Sequence, residues 1–191
     1  MRVIAGKYRS RPLRSLRGMD IRPTSDRLRE TLFNVLTAGN PDALVGTVWL
    51  DLFAGTGAIG IEALSRGAGE VHFVENSAAA SRLIRSNLQS LGITQGFAIV
   101  QQELPRALSC IEPAGGTADV VFMDPPYRMK QEYGETLRVL GGNSLLQANS
   151  VVIAEHEKQF DVGKDFDRLE RFRMLVQGSV ALSFYKLRAE E

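Results

Sequence analysis

The order of apolar and helical segments predicts an α/β fold: a seven-stranded, mostly parallel sheet with helices on both faces, closed by a C-terminal antiparallel hairpin. Three observations predict it. From residue 47 onward, short apolar runs alternate with segments of helical periodicity. The last two runs follow one another across Gln177-Gly178 with no helix between them. A glycine cluster follows the first central run directly, as expected where a parallel strand turns into its crossover helix.

The elements follow in order. Arg2-Val3-Ile4-Ala5 is strand-like and leads into Gly, Pro and Arg, so residues 1–22 read as a basic N-terminal arm and residues 23–191 as one domain. A helix then starts at Thr24 or Ser25, either of which can cap it, with Asp26 in the first turn. Its stripe is Leu28, Leu32, Val35 and Leu36, and Gly39-Asn40-Pro41 ends it. Thr47–Phe53 is a buried strand, Gly57–Arg66 a helix and Glu70–Glu75 the second strand. Ser77 caps a helix that turns Leu83, Ile84, Leu88 and Leu91 inward and stops at Gly92. Phe97–Gln101 is a short strand, Leu104–Ile111 a short helix and Ala118–Met123 a strongly apolar strand. A helix around Lys130–Leu140 precedes the strand Ser150–Glu155, and Arg168–Val176 with Ser179–Leu187 form the hairpin.

Composition narrows the class. At 191 residues, 44% hydrophobic and 24% charged, the chain is long enough for one packed domain, and disorder or a coiled coil is excluded as an overall description. The longest apolar runs, such as Val120–Met123 and Val151–Ala154, fall far short of the ~18 residues that span a bilayer, so no membrane partner is expected. The basic N-terminus lacks the apolar stretch of a secretory signal. The single cysteine, Cys110, cannot form an internal disulfide, which fits a reducing cytoplasm. The net charge of +1 hides an asymmetry: residues 1–30 hold nine basic and three acidic side chains, against 14 and 19 in the remainder. Such a basic end is either the footprint of a polyanion partner or simply a solvated end.

In parallel α/β sheets, ligands bind beyond the carboxyl ends of the strands, at the switch in strand order. After the first central strand stands Asp51-Leu52-Phe53-Ala54-Gly55-Thr56-Gly57-Ala58-Ile59-Gly60, in which Gly55, Gly57 and Gly60 match a Gly-x-Gly-x-x-Gly fingerprint. Glu75 ends the second strand, where a carboxylate can accept from both ribose hydroxyls of a nucleoside cofactor. A dinucleotide and S-adenosylmethionine are both compatible with such a loop. The acidic Asp51 before the glycines suits the sulfonium and ammonium of S-adenosylmethionine and would repel a pyrophosphate. Glu103, after the third strand, either accepts from an adenine amino group or is the first-turn acid of the next helix.

After Ala118–Met123 comes Asp124-Pro125-Pro126-Tyr127. Two prolines fix φ and remove two N–H donors, leaving a rigid loop that presents carbonyl oxygens. An Asp carboxylate, a rigid carbonyl and an aromatic ring suit the holding of a planar exocyclic amine. Asp124 and the Pro125 carbonyl accept its two hydrogens, and Tyr127 stacks on the base. No metal is required. The plainer reading is a Pro-Pro turn with a packed tyrosine.

The glycine-rich loop and Asp-Pro-Pro-Tyr together resemble class I amino-methyltransferases that act on nucleic-acid bases. The opening Met1-Arg2-Val3-Ile4-Ala5-Gly6-Lys7-Tyr8 and the stretch Arg22-Pro23-Thr24-Ser25-Asp26-Arg27-Leu28-Arg29-Glu30 resemble one branch of these, the RsmD-type small-subunit (16S) rRNA guanine-N2 methyltransferases, over essentially the whole chain. Glu155-His156 resembles that family's Glu-His element. The resemblance implies a Rossmann-like fold and S-adenosyl-L-methionine as cofactor, held by Asp51, Phe53, Ala54, Gly55, Thr56, Gly57, Glu75, Asn76, Glu103 and Leu104. It places the target amine on Asp124, Pro125, Pro126 and Tyr127, and RNA on Arg9, Arg11, Arg22, Thr24, Arg27 and His156. Two positions depart from the family pattern: Glu103, where Asp is frequent, and Glu157, where a small or polar residue is more usual.

The expected substrate is therefore a base in ribosomal RNA or in the assembled small ribosomal subunit, with the chain acting as a monomer. With no separate domain for reading base sequence, recognition by RNA shape and phosphates is expected, with the target base splayed from its stack. Three rivals stand beside this reading: adenine-N6 methylation of DNA or RNA, a non-catalytic RNA-binding assembly factor, and an NAD-dependent oxidoreductase. His156 is either a base or phosphate contact or a structural histidine, while His72, Trp49 and Cys110 are expected to be structural.

Overall fold

The computed structural model describes residues 1–15, 24–111 and 116–189. The chain folds as α1 (Asp26–Leu36), β1 (Val48–Leu52), α2 (Ala58–Ser65), β2 (Glu70–Val74), α3 (Ala78–Leu91), β3 (Phe97–Val100), a 3-10 turn (Arg106–Cys110), β4 (Ala118–Met123), α4 (Lys130–Gly142), β5 (Leu146–Glu157), β6 (Asp165–Phe166), β7 (Leu169–Gln177) and β8 (Val180–Leu187). The strands form one sheet in the order β3-β2-β1-β4-β5-β8-β7-β6. From β3 to β5 the neighbours run parallel, whereas β5–β8, β8–β7 and β7–β6 are antiparallel. The order reverses between β1 and β4, which puts the switch point at their carboxyl ends.

The eighth strand is the difference from expectation. β6 is two residues long, too short to show a period in sequence. It exists because Phe166, 6% exposed, packs edge-on against Tyr185 at 5.8 Å and carries its backbone against β7. β5 is also longer than expected, and the helix expected over 104–111 is only a 3-10 turn behind Pro105. Cys110 is exposed in that turn rather than packed.

Two apolar layers sandwich the sheet. One joins α1, α2 and α3 to the sheet through Leu32, Phe33, Ile61, Ile84 and Leu88, with Phe33 stacked 5.4 Å from Trp49. The other carries Tyr133, Leu137 and Leu140 of α4. The helix signals in the sequence act as read. Ser25 Oγ accepts from Leu28 N–H, Ser77 Oγ accepts from Ala80 N–H, and Gly92 closes α3 at φ 72°. His72, 5% exposed, lies in β2 with Nε2 3.0 Å from a Glu70 carboxylate oxygen.

Residues 1–15 are docked on the sheet's helical layer. Val3 and Leu13 are buried, and Arg2 pairs with Pro12 in an antiparallel bridge. The Glu62 carboxylate, fully buried in α2, accepts from the N–H groups of Ile4 (2.7 Å) and Ala5 (3.0 Å) and from Arg66 Nε (2.8 Å). Arg29, also fully buried, donates to the Arg2 carbonyl at 2.6 Å and to Asp26 at 2.7 Å. A Cβ on Gly6 would fall 1.9 Å from the Ser65 carbonyl oxygen, and Gly6 sits at φ +80°, so only glycine fits.

Candidate active site

The carboxyl ends of β1, β2 and β4 bring the two sequence motifs together. The turn after β1 is strained where it passes the ligand end: Phe53 adopts φ 58°, sparsely populated for a residue with a side chain, followed by Gly55 at φ 54° and Gly57 at φ 76°. Gly60 serves packing instead. A Cβ there would lie 2.4 Å from the Phe73 ring and 2.6 Å from Val71, so its absence lets α2 press onto β2.

Two acids hold this turn. Asp51, 2% exposed at the end of β1, accepts from Gly60 N–H at 2.9 Å. Glu75 accepts from Gly55 N–H (2.9 Å) with one oxygen and from Ser77 N–H (2.8 Å) with the other. The carboxylates expected to meet a cofactor therefore also brace the loop that would carry it. Burial pushes the Asp51 carboxyl up to about 8, and the nearby Glu75 charge adds to the rise against the lowering bond from Gly60.

A shallow cleft opens beside the turn. It is lined by Phe53, Glu75, Asn76, Glu103 and Leu104, all expected from sequence, and by Gln102, Met129 and Glu132, which were not. Phe53, Leu104 and Met129 give it apolar walls and Glu75, Glu103 and Glu132 an acidic rim, groups that could hold the adenosine part of S-adenosylmethionine. Glu132 has one carboxylate oxygen buried without a partner, and burial together with the charges of Glu135 and Glu103 raises its proton affinity. It lies in the first turn of α4, where an acid reads as dipole compensation, so sequence offered no reason to place it in the cleft.

Asp124 follows β4 directly. Its carboxyl is held well above the usual carboxylate range by burial, then by the charges of Glu155 and Asp51. Pro125 is buried, Pro126 exposed and Tyr127 half-buried, with the Pro126 carbonyl accepting from Met129 N–H at 2.7 Å. Glu155, 4% exposed, accepts from Thr24 Oγ1 at 2.9 Å, so Thr24 reaches the edge of the site. The carbonyl of Glu155 accepts from the buried Tyr133 hydroxyl at 2.7 Å. Like Asp51 and Glu75, Glu155 comes at the end of an apolar strand, and that position was the available signal for it.

His156 is not brought to the site. The side chain is 1% exposed, its Nδ1 is 2.9 Å from the Glu157 carbonyl and its Nε2 is 2.9 Å from Ser183 Oγ. With both ring nitrogens engaged in the interior, the expected RNA contact is corrected to a structural role. Burial lowers its proton affinity accordingly. Strand alternation decided this: Glu155 and His156 point to opposite faces.

The basic residues divide. Arg9 and Arg27 are exposed, and Arg11 donates to the Ser90 carbonyl at 3.0 Å from an exposed position. Arg22 lies outside the described residues. The basic side chains Arg168 and Arg171 of the hairpin are spent internally, on the Gly141 and Asn143 carbonyls and on Asp161.

A parallel sheet with its switch point at a glycine turn, an acid-rimmed cleft and an Asp-Pro-Pro-Tyr loop beside it define a Rossmann-like methyltransferase. The family model described as conserved hypothetical protein 95 matches residues 1–186, and the chain belongs to that family, the RsmD-type methyltransferases. It is 34% identical over 190 residues to ribosomal RNA small subunit methyltransferase D of Escherichia coli K12, covering all of this chain and 91% of that protein. The Haemophilus influenzae protein of the same name is 32% identical over 189 residues, covering 98% and 92%. Among solved structures, yhhF of Escherichia coli, assigned as a methyltransferase, superposes with a TM-score of 0.80 at 31% identity, over 100% of this chain and 99% of that one. A hypothetical protein of Thermus thermophilus gives 0.78 at 30% identity, over 98% and 99%.

Proposed function

We propose that this chain transfers the methyl group of S-adenosylmethionine to the exocyclic amine of a base in small-subunit ribosomal RNA, at N2 of guanine. The observation that carries the reading is the placement of Asp124-Pro125-Pro126-Tyr127 at the end of β4, next to the cleft at the end of β1. The names of the curated relatives support rRNA as the substrate class.

When bound, the cofactor supplies an electrophilic methyl group. Phe53, Leu104 and Met129 would hold its base, Glu75 and Glu103 would accept from its donors, and Asp51 would serve its cationic end. An exocyclic amine is a poor nucleophile because its lone pair is delocalised into the ring. Asp124 and the Pro125 carbonyl accept the two amine hydrogens, which concentrates electron density on nitrogen and fixes its direction. Tyr127 stacks on the splayed base. The methylated amine loses its extra proton to water, so no dedicated base is needed. Arg9, Arg11 and Arg27, with Thr24 at the site edge, hold the RNA, and the chain works as a monomer in the cytoplasm.

The test is methyl transfer from labelled S-adenosylmethionine to unmodified small subunits, naked rRNA and duplex DNA in parallel. N2-methylguanosine in the digested RNA is the expected product. Label in N6-methyladenine overturns the target. Binding of S-adenosylmethionine with no transfer to any substrate overturns catalysis.

A further inference from the structure

Building on rRNA as the substrate, we propose that the outer face of α3 and the N-terminal residues docked along it form a phosphate track, in which Arg82, Arg85, Arg14 and Arg11 hold the RNA strand that leads to the target nucleotide. The sequence shows where acids are missing. No Asp or Glu precedes Asp20, and none falls between Glu75 and Glu103, although the chain from residue 31 onward carries more acidic than basic side chains.

The fold lays these two acid-free stretches against each other. Arg11 Nη2 donates to the Ser90 carbonyl at 3.0 Å, and Arg14 Nη1 donates to Ser86 Oγ at 2.9 Å. Beneath them the buried Asn87 side chain accepts from Arg14 N–H (2.9 Å) and donates to the carbonyls of Arg14 (3.2 Å) and Thr56 (3.0 Å). One amide thus ties the docked residues, α3 and the glycine turn together, which fixes the track relative to the cleft. α3 buries Ala80, Leu83, Ile84, Leu88 and Leu91 and leaves Arg82, Arg85 and Gln89 exposed. Among the described residues, none of Arg11, Arg14, Arg82 and Arg85 belongs to an ion pair. Glu62, beneath the docked residues, is buried and engaged by Arg66 at 2.8 Å.

A merely solvated helix face looks different in this chain. α1 interleaves Asp26, Arg27, Arg29 and Glu30, and α4 interleaves Lys130, Glu132, Glu135 and Arg138. α3 has two arginines and no acid. Nor do those arginines serve the helix itself: cations gain from the dipole in the last turn, which in α3 holds none. The dimensions suit a nucleic-acid strand. From Arg82 to Ser90 the helix rises about 12 Å, a length along which one strand presents several phosphates. Arginine meets phosphate with two parallel N–H groups. The track starts beside the cleft, because α3 follows Glu75 and Asn76, which line it.

The test is binding of unmodified small-subunit rRNA, transcribed in vitro, across a salt series. Arg82→Gln with Arg85→Gln should weaken binding about tenfold at about 0.15 M salt and lower the salt slope by about 1.4, the share of two phosphate contacts to a single strand. Calorimetry should show S-adenosylmethionine affinity kept, and KM for the RNA should rise while kcat holds. Ala78→Glu places an acid on the same face in the first turn of α3, where the dipole favours it, so RNA binding should weaken while the thermal midpoint does not fall. Arg106→Gln with Arg138→Gln removes the same charge from exposed positions on the α4 side of the sheet and should leave the slope nearly unchanged. Unchanged binding by the α3 variants, or an equal loss in the Arg106 and Arg138 variant, overturns the track and leaves rRNA methylation standing. A wild type that neither binds nor methylates this RNA overturns the substrate reading with it.

Discussion

Asp51 carries opposing demands in one side chain. Its carboxyl titrates near 8 in the folded chain against an ordinary 3.8, because burial disfavours the charge. Between about pH 4 and pH 8 the folded state therefore holds a proton that the unfolded state has already released, so stability falls as pH rises through that window. At 1.36 kcal/mol per unit the cost approaches a ceiling of about 6 kcal/mol above pH 8. Asp51→Asn keeps an acceptor for Gly60 N–H and removes the charge. Thermal unfolding should show the variant more stable than wild type at pH 8, by more than about 1 kcal/mol, with the gain vanishing near pH 4, while its affinity for S-adenosylmethionine drops. Asp124→Ala tests the other acid. It should cut turnover by at least about 10³-fold while leaving S-adenosylmethionine affinity within a few-fold of wild type. Normal turnover in this variant would remove the amine-holding role. Because the raised Asp124 carboxyl must be ionised to accept both the amine and the positive charge that develops on it, the wild-type rate should climb with pH rather than fall.

At the scale of elements, the strongest constraints lie where helices meet the sheet or the N-terminal residues. Gly60→Ala would place a methyl group 2.4 Å from Phe73 and 2.6 Å from Val71 across the α2–β2 contact. Overpacking of this kind costs about 1–3 kcal/mol, to be read as a lower urea midpoint at unchanged slope. Glu62 of α2 holds the N-terminal residues through Ile4 and Ala5 and lies 3.8 Å from the buried guanidinium of Arg29. Arg29 keeps Asp26 at 2.7 Å when Glu62 is removed, but the amides of Ile4 and Ala5 lose their acceptor, and a buried donor left unpaired costs about 1–3 kcal/mol. Glu62→Ala should expose Ile4 and Ala5 amides to rapid hydrogen exchange before the sheet opens. Protection equal to wild type would show that the apolar contacts of Val3 and Leu13 suffice.

For the molecule as a whole, charge is separated along the chain. Nine of the 23 basic residues fall in the first 30, and the docked residues 1–15 hold Arg9 exposed and Arg11 against the end of α3. Electrostatic contacts to phosphate release counterions, so each one lost lowers the salt slope by about one. Replacing Arg9 and Arg11 by Ala should reduce the slope of RNA binding against salt by about 1–2 and leave the product nucleoside unchanged. An unchanged slope would move the RNA footprint elsewhere on the surface.

The sequence by itself determined what local chemistry can encode. Alternating apolar runs and helical stripes specified the order of strands and helices, Ser25, Ser77 and Gly92 specified helix ends, and residues directly after β1, β2 and β3 specified much of the cleft lining. Only the tertiary structure decided which groups meet across strands and helices. His156 and Glu155 are neighbours in sequence, yet alternation turns one into the interior and the other toward Asp124, and nothing in a dipeptide tells which face the sheet will cover. Glu132 looks like first-turn compensation until α4 packs over the end of the sheet and turns it to the cleft. β6 has too few residues for a period and arises from the packing of one side chain, Phe166. Short-range propensity repeats along the chain and can be read there, whereas register and packing are fixed by contacts between residues far apart in sequence.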